Sequence, residues 1–333
     1  MNYIGSKNKL SDFIKETVYQ TIGTDLSNLV FCDLFSGTGI VGKNFKSEVK
    51  KVISNDLEFY SYVLIRNSIG NYKAIKDEAN LLEKLNNLKD KAGLIYKNYC
   101  KGGQGERQYF SDENGKKIDA IRQEIEAWKT AKTIDEDTYF FLLASLLESA
   151  DKVANTASVY GAYLKHIKTS AAKTLILKAA EFETSKHKSE VYNKNSNELI
   201  QEIKGDILYL DPPYNARQYG ANYHILNTIA LYDHFEPKGK TGLRNYNKSK
   251  YCSKVSVHAE FEELIKNANF KYIFLSYNNE GLMSVDEIQT IMKKYGSYRL
   301  VSKEYQRFKA DKTENRNHIA DKTEEFLHIL EKL

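Results

Sequence analysis

Short apolar runs recur along this chain, at Val30–Phe35, Val52–Ser54, Ile207–Leu210, Tyr272–Tyr277 and Phe326–Leu330. The first four carry few charges and are separated by helical patterns, which predicts parallel strands covered on both faces. Helices are predicted over Lys9–Thr21, Phe59–Ile69, Ala120–Thr130, Tyr139–Val153 and Phe261–Asn267. From about Asn71 to about Ser189 the pattern is mostly helical, far too long for one crossover between strands. Residues 71–189 are therefore expected to form an inserted domain, with 1–70 and 190–333 making the other. A ten-residue stretch is nearly repeated, ADKTENRNHI at 310–319 and ADKTEEFLHI at 320–329. Two copies are too few for a solenoid; the pair reads as a hairpin with strands at Tyr305–Lys309 and Glu325–Leu330.

Two turns carry the candidate chemistry. The first strand runs into Ser36-Gly37-Thr38-Gly39 before a helical pattern begins. Glycines at such a turn let the backbone approach a ligand and present N–H groups to it. Read literally, Gly37-Thr38-Gly39-Ile40-Val41-Gly42 fits the dinucleotide pattern GxGxxG, although a tight turn without a ligand has the same form. Asp56, ending the next strand, suits the ribose hydroxyls of either NAD or S-adenosylmethionine (AdoMet). Asp33 helps to choose between them. A carboxylate just before the turn repels a pyrophosphate and favours a ligand with an ammonium and a sulfonium, as AdoMet has. The second turn is Asp211-Pro212-Pro213-Tyr214, which uses two of only three prolines in the chain. Proline fixes φ at about −65° and cannot donate to a ladder. An Asp and a Tyr are thus held stiffly at the carboxyl end of a strand, the edge where open α/β sheets bind ligands.

Composition narrows the class. With 333 residues, 41% hydrophobic and 28% charged, the chain is globular rather than disordered. No apolar run approaches the ~18 residues of a membrane helix and the start has no signal-peptide core, so a soluble, cytoplasmic protein is expected. Cys32, Cys100 and Cys252 are scattered and encode neither a disulfide frame nor a zinc site. The net charge of +5 is concentrated: Lys152–Ala180 has five lysines and no acid, and Glu236–Ser256 has six basic residues against one acid. Such stretches are either solvated faces or a footprint for a polyanion.

In this order, Asn2-Tyr3-Ile4-Gly5-Ser6-Lys7, Asp33-Leu34-Phe35-Ser36-Gly37-Thr38-Gly39 and Asp211-Pro212-Pro213-Tyr214 resemble the Dam-like (alpha-group) DNA adenine-N6 methyltransferases. In these the target-recognition region lies between the cofactor and catalytic motifs. The resemblance runs from Tyr3 to the final EFLHIL segment. It implies a Rossmann-like AdoMet-dependent methyltransferase fold, a mainly parallel seven-stranded sheet with helices on both faces, and makes 71–189 a helical target-recognition domain. By the same resemblance, Tyr3 and Lys7 lie near the methionine end of AdoMet. Asp33, Phe35, Ser36, Gly37, Thr38 and Gly39 cradle that end, Asp211 borders it, and Asp56 takes the ribose. Asn195 stands where the family usually contacts adenine through Asp. Ser276-Tyr277-Asn278 resembles the segment beside the target-base pocket, or is a plain strand end. The implied partners are AdoMet (leaving S-adenosyl-L-homocysteine), double-stranded DNA and a cognate restriction endonuclease as a genetic partner, with no metal.

The chemistry suits these residues. The adenine amino group is a poor nucleophile because its lone pair is delocalised into the ring. Asp211 can accept one N–H and the rigidly held Pro212 carbonyl the other, drawing the nitrogen toward sp3 geometry. Tyr214 offers a π-face to the base, and in-line transfer leaves much of the rate to positioning. A base in a duplex must be flipped out to reach such a site. Lysines would then neutralise phosphates while the insert reads base edges. The expected DNA contacts are Lys165, Lys168, Arg217, Tyr223, Arg244, Lys248, Lys250 and Lys254, with Gln104–Gln108 a candidate reader. Cytosine carbon-5 transfer needs a cysteine after proline, whereas the three cysteines follow Phe31, Tyr99 and Tyr251. Cytosine-N4 transfer, RNA methylation and a DNA-binding protein with a vestigial methylase fold stand as alternatives.

Overall fold

The four buried runs become strands of one sheet. In the computed structural model, which describes residues 7–306 and 322–333, these are β1 (Val30–Asp33), β2 (Lys51–Asn55), β4 (Lys204–Leu210) and β5 (Asn269–Asn278). The short β3 (Glu190–Tyr192) joins one edge, and β6 (Gly296–Gln306) and β7 (Lys322–Lys332) form a hairpin at the other. The order is β3-β2-β1-β4-β5-β7-β6, with β1 to β5 parallel and β7 antiparallel to both neighbours. This is the expected Rossmann-like, mainly parallel seven-stranded sheet. Of the expected first hairpin strand, Tyr305 and Gln306 pair with Thr323 and Lys322, but the strand begins at Gly296. Residues 307–309, and the first copy of the repeat, lie outside the described residues.

Strand alternation sorts the sheet's side chains onto two faces. Cys32, Leu208, Ile273 and Leu330 lie in one core with α8 (Ser196–Leu199), α11 (Val257–Asn267) and α12 (Val285–Met292). On the opposite face Phe31 stacks on Phe45 of α2 (Ile40–Phe45), centroids 4.3 Å apart. There α1 (Ser11–Ile22) places Thr21 within reach of Arg299 on β6. Local signals start several of these helices. Ser284 and Glu287 form a reciprocal capping box on α12, and Asn195 caps α8 by accepting from Asn197 N–H.

This sheet unit comprises described residues within 7–57, 185–218 and 248–333; a second, helical unit takes Glu58–Thr184 and Tyr219–Asn247. The helical unit thus differs from the expected 71–189 by starting earlier and including a second segment beyond the Asp-Pro-Pro-Tyr turn. Its helices are α3 (Phe59–Ile65, continued by a wider turn over Arg66–Gly70), α4 (Glu78–Asn86), α5 (Leu94–Tyr99), α6 (Asp112–Thr130), α7 (Glu136–Lys152), α9 (Tyr219–Asn222) and α10 (His224–Leu231). The second segment belongs because its apolar residues need this core: Ile225, Leu226 and Ile229 are fully buried with α3, α6 and α7. Asn227 receives the Tyr60 N–H at 2.9 Å and donates to Glu58 at 2.6 Å. Buried Arg122 of α6 donates to the carbonyls of Ile229 and Ala230 that end α10. Among the described residues no helix is long and apolar enough to cross a membrane.

Asp119 organises the entry to α5. Its buried carboxylate accepts N–H groups from Gly93 (2.9 Å), Ile95 (2.8 Å) and Tyr96 (2.8 Å), and the Tyr232 hydroxyl (2.6 Å). A side chain at Gly93 would put Cβ 2.3 Å from that hydroxyl oxygen, so only glycine fits there.

Candidate active site

The glycine turn after β1 is built around two carboxylates. Gly37 and Gly39 sit at φ of 53° and 80°, where glycine is favoured. Asp56 accepts the Gly37 N–H at 2.8 Å, and Ser36 Oγ donates to the Asp33 carbonyl at 2.7 Å. Asp33 is buried at the end of β1 and takes the Gly42 N–H on Oδ2 at 3.1 Å. Its Oδ1 is also buried and has no hydrogen-bond partner among the described residues. Burial, reinforced by the charges of Asp211 and Asp56, pushes this carboxyl up to about 8. An unmet acceptor beside a turn with two glycines fits the ammonium end of AdoMet. Phe35 meets the Tyr251 ring edge to face at 5.2 Å, and Tyr251 is buried with its hydroxyl on Asn197 Oδ1 at 2.8 Å. Asn195 is exposed, and its side-chain oxygen already accepts the Asn197 N–H at 2.9 Å as the cap of α8. Tyr3 lies outside the described residues.

Asp211 follows the last residue of β4, its side chain 17% exposed. The Lys7 ammonium lies 3.1 Å from Asp211 and 2.8 Å from Glu325 on β7, and the Ser276 hydroxyl donates to the same Glu325 oxygen. Burial raises the Asp211 carboxyl, Lys7 opposes the rise and Glu325 adds to it, leaving it at about 6. Burial works against the Lys7 ammonium, but the two carboxylates hold it well above the ordinary lysine range. Pro212 is buried. The Tyr214 ring meets Tyr277 edge to face, centroids 6.4 Å apart, and the Tyr214 carbonyl takes the Leu282 N–H at 2.9 Å. A side chain at Gly281 would strike the Tyr277 ring at 2.0 Å, so this turn packs closely behind the Tyr214 platform. Beyond it, Asn215 Oδ1 accepts the Arg217 N–H. Gln218 exchanges two hydrogen bonds with the Ser249 backbone, at 2.8 and 3.2 Å, and Cys252 Sγ lies 3.5 Å from the Arg217 carbonyl.

The sequence model of the D12 class N6 adenine-specific DNA methyltransferases matches residues 3–291. The chain belongs to that family. The Type II methyltransferase M.NlaIII of Neisseria lactamica is 64% identical over 90% of this chain and 90% of its own length. M.CviAII of Paramecium bursaria Chlorella virus 1 is 39% identical over 90% of each chain. M.FokI of Planomicrobium okeanokoites is 42% identical over 90% of this chain, which spans only 48% of that longer protein. The chain is thus an adenine-specific DNA methyltransferase.

The methyltransferase presents only some of the side chains expected to meet DNA. Lys165, Arg217, Lys248 and Lys254 are exposed. Lys250 is also exposed but ion-paired with Glu260, and Lys168 Nζ donates to the Thr156 carbonyl at 2.7 Å. Two expectations need correction. Arg244 is 8% exposed, held by Asp233 at 2.9 Å and lying over the Phe235 ring, so it is a core cation of the helical unit. Tyr223 is fully buried between Tyr60, Tyr160 and Tyr219, so it packs inside the helical unit rather than being presented to DNA. Arg107, in the candidate reader loop, donates to the carbonyls of Asn98, Gly239 and Lys240 and braces the loops rather than projecting from them. Glu325 had not been singled out as part of this edge. For Glu325 there was a signal: a carboxylate two residues before Leu327 on a strand of period two must share its buried face.

Proposed function

We propose that this methyltransferase is of the Dam-like, alpha-group type and serves as the modification half of a Type II restriction–modification pair, methylating a flipped-out adenine in double-stranded DNA. The alpha-group assignment is supported by chain order, since the glycine turn at 36–39 precedes the Asp211 turn with the helical segment 58–184 between them. The observation that carries the reading is Asp211 at the edge of β4, ion-paired to Lys7 and largely ionised at neutral pH with its carboxyl at about 6. AdoMet supplies the sulfonium methyl group; Asp33, the 36–39 turn and Asp56 are the residues suited to hold it. Asp211 accepts one adenine N–H and takes that proton as the nitrogen gains its new bond. The Pro212 carbonyl accepts the other N–H, and Tyr214 stacks on the base, braced by Tyr277. Exposed Lys165, Lys248, Lys254 and Arg217 suit phosphate contacts, which position a duplex without reading it.

Tritiated AdoMet and unmethylated duplex DNA are expected to yield labelled N6-methyladenine at one recurrent sequence, read by nucleoside analysis and site mapping. Label in N4-methylcytosine, label only in RNA, or no label would overturn the reading. Cleavage of the unmodified site by a nuclease encoded beside the gene, blocked by prior modification, tests the restriction–modification role.

Asp33 makes AdoMet binding pH-dependent. Its carboxyl, at about 8 in the free protein, must lose a proton to meet an ammonium. Affinity is expected to rise by up to tenfold per pH unit between pH 6 and 8 and to fall above about pH 8, where an α-amino group deprotonates. With the opposite sign, the free protein loses stability as pH rises from about 4, where the unfolded carboxyl ionises, and the loss is complete near pH 8. Calorimetric titration at pH 6, 7, 8 and 9 checks this, and Asp33→Asn should flatten the acid side. A flat profile in the parent protein would remove Asp33 from the site.

A further inference from the structure

Glu325 is 1% exposed, on the last strand and beyond the stretch matched by the family's sequence model. A buried carboxylate is costly unless it is paired, and here it shares the Lys7 ammonium with Asp211 while accepting the Ser276 hydroxyl. β7 runs antiparallel to β5 with Glu325 opposite Asn278, which brings it to the edge where β4 delivers Asp211. Two carboxylates and one ammonium leave the cluster one negative charge in excess. Were Lys7 and Asp211 alone, the ammonium would belong wholly to Asp211 and occupy its accepting lone pairs. Shared with Glu325, it orients Asp211 without neutralising it.

We propose that Glu325 is a positioning residue for methyl transfer: it holds the Lys7 ammonium in a bridge between two carboxylates, and so keeps Asp211 aimed and able to accept from the target amino group. This rests on the reading of Asp211 as the proton acceptor. The charged and titratable groups facing Asp211 are Lys7 before α1, Glu325 on β7, Tyr209 on β4, Asp33 on β1 and Tyr214 in the turn itself. Of the nearest two, Lys7 favours the ionised form and Glu325 the protonated one.

The test is the single-turnover rate of methyl transfer from pH 5 to 9, using the full chain with active sites counted by AdoMet binding. Glu325→Gln keeps an acceptor for Lys7 and Ser276 but removes the charge. It is expected to shift the acid limb of the profile to lower pH by roughly one unit and to lower the plateau rate, with AdoMet and DNA affinities unchanged. Glu325→Asp restores the charge and should return the limb to its parental pH, while its shorter reach still lowers the plateau. A role in folding alone would reduce the count of active sites but leave the profile of those remaining unmoved, and that result overturns the proposal. If Glu325→Gln does not fold, Glu325→Asp with a parental plateau rate overturns it equally. Asp211→Asn serves as the control: if it stays active, the reading of Asp211 fails, whereas an inactive Asp211→Asn beside a parental Glu325→Gln profile sinks only the role of Glu325.

Discussion

Asp211→Ala is expected to lower the single-turnover rate of methyl transfer by about three orders of magnitude while leaving duplex affinity largely intact. The substitution removes the one charged acceptor at the end of β4, so the amino nitrogen keeps its delocalised lone pair and its proton has no local destination. Pro212 and Tyr214 stay in place, which preserves binding of the base. The fold should survive, because the Lys7 ammonium keeps Glu325 as its partner at 2.8 Å and is not left as an unpaired buried charge. Labelled methyl transfer and fluorescence anisotropy with a duplex carrying the mapped site separate the two effects. Turnover within tenfold of the parent, or lost binding with turnover retained, would refute the assignment.

The second large effect is on stability. Asp119→Ala should destabilise the helical unit by about 3–5 kcal/mol. Four donors converge on this one carboxylate: three backbone N–H groups at the start of α5 and the Tyr232 hydroxyl. Gly93, which precedes α5, has no side chain to cap it, and that makes the distant carboxylate obligatory. Burial raises the Asp119 carboxyl while the donated hydrogen bonds lower it. Asparagine is a poor substitute, since its NH2 would face one of these N–H donors. Urea unfolding followed by tyrosine fluorescence, together with hydrogen exchange at Ile95 and Tyr96, measures the loss. A change below about 1 kcal/mol would show that water caps α5 as well as Asp119 does.

The parallel strands could be read from the chain because each buried run is apolar on both faces. Both turns of the candidate site could be read because proline and glycine leave few backbone options. The elements that escaped lacked such marks. β3 is three residues long with no apolar pattern, and most described side chains of β6 are exposed on an edge strand. α6 begins at Asp112, capped by Ser111, and its first turns escaped the pattern because Gly115 interrupts it; a Cβ there would lie 2.2 Å from Cys100 Sγ. The helical unit's second segment was hidden because its partners, Tyr60 and Arg122, are more than a hundred residues away in sequence. Arg244 and Tyr223 misled for a related reason: charge runs and aromatic residues indicate composition, whereas burial depends on partners such as Asp233 and Tyr160.

The paired amide contacts between Gln218 and Ser249 have a consequence for how such enzymes diversify. They pinch together the two ends of an excursion that leaves after Gln218 and returns at Lys248. With those ends pinned, loops within the excursion can change length in a relative without shifting Gln218 or Ser249, whereas Ile225, Leu226 and Ile229 must keep the helical core that buries them.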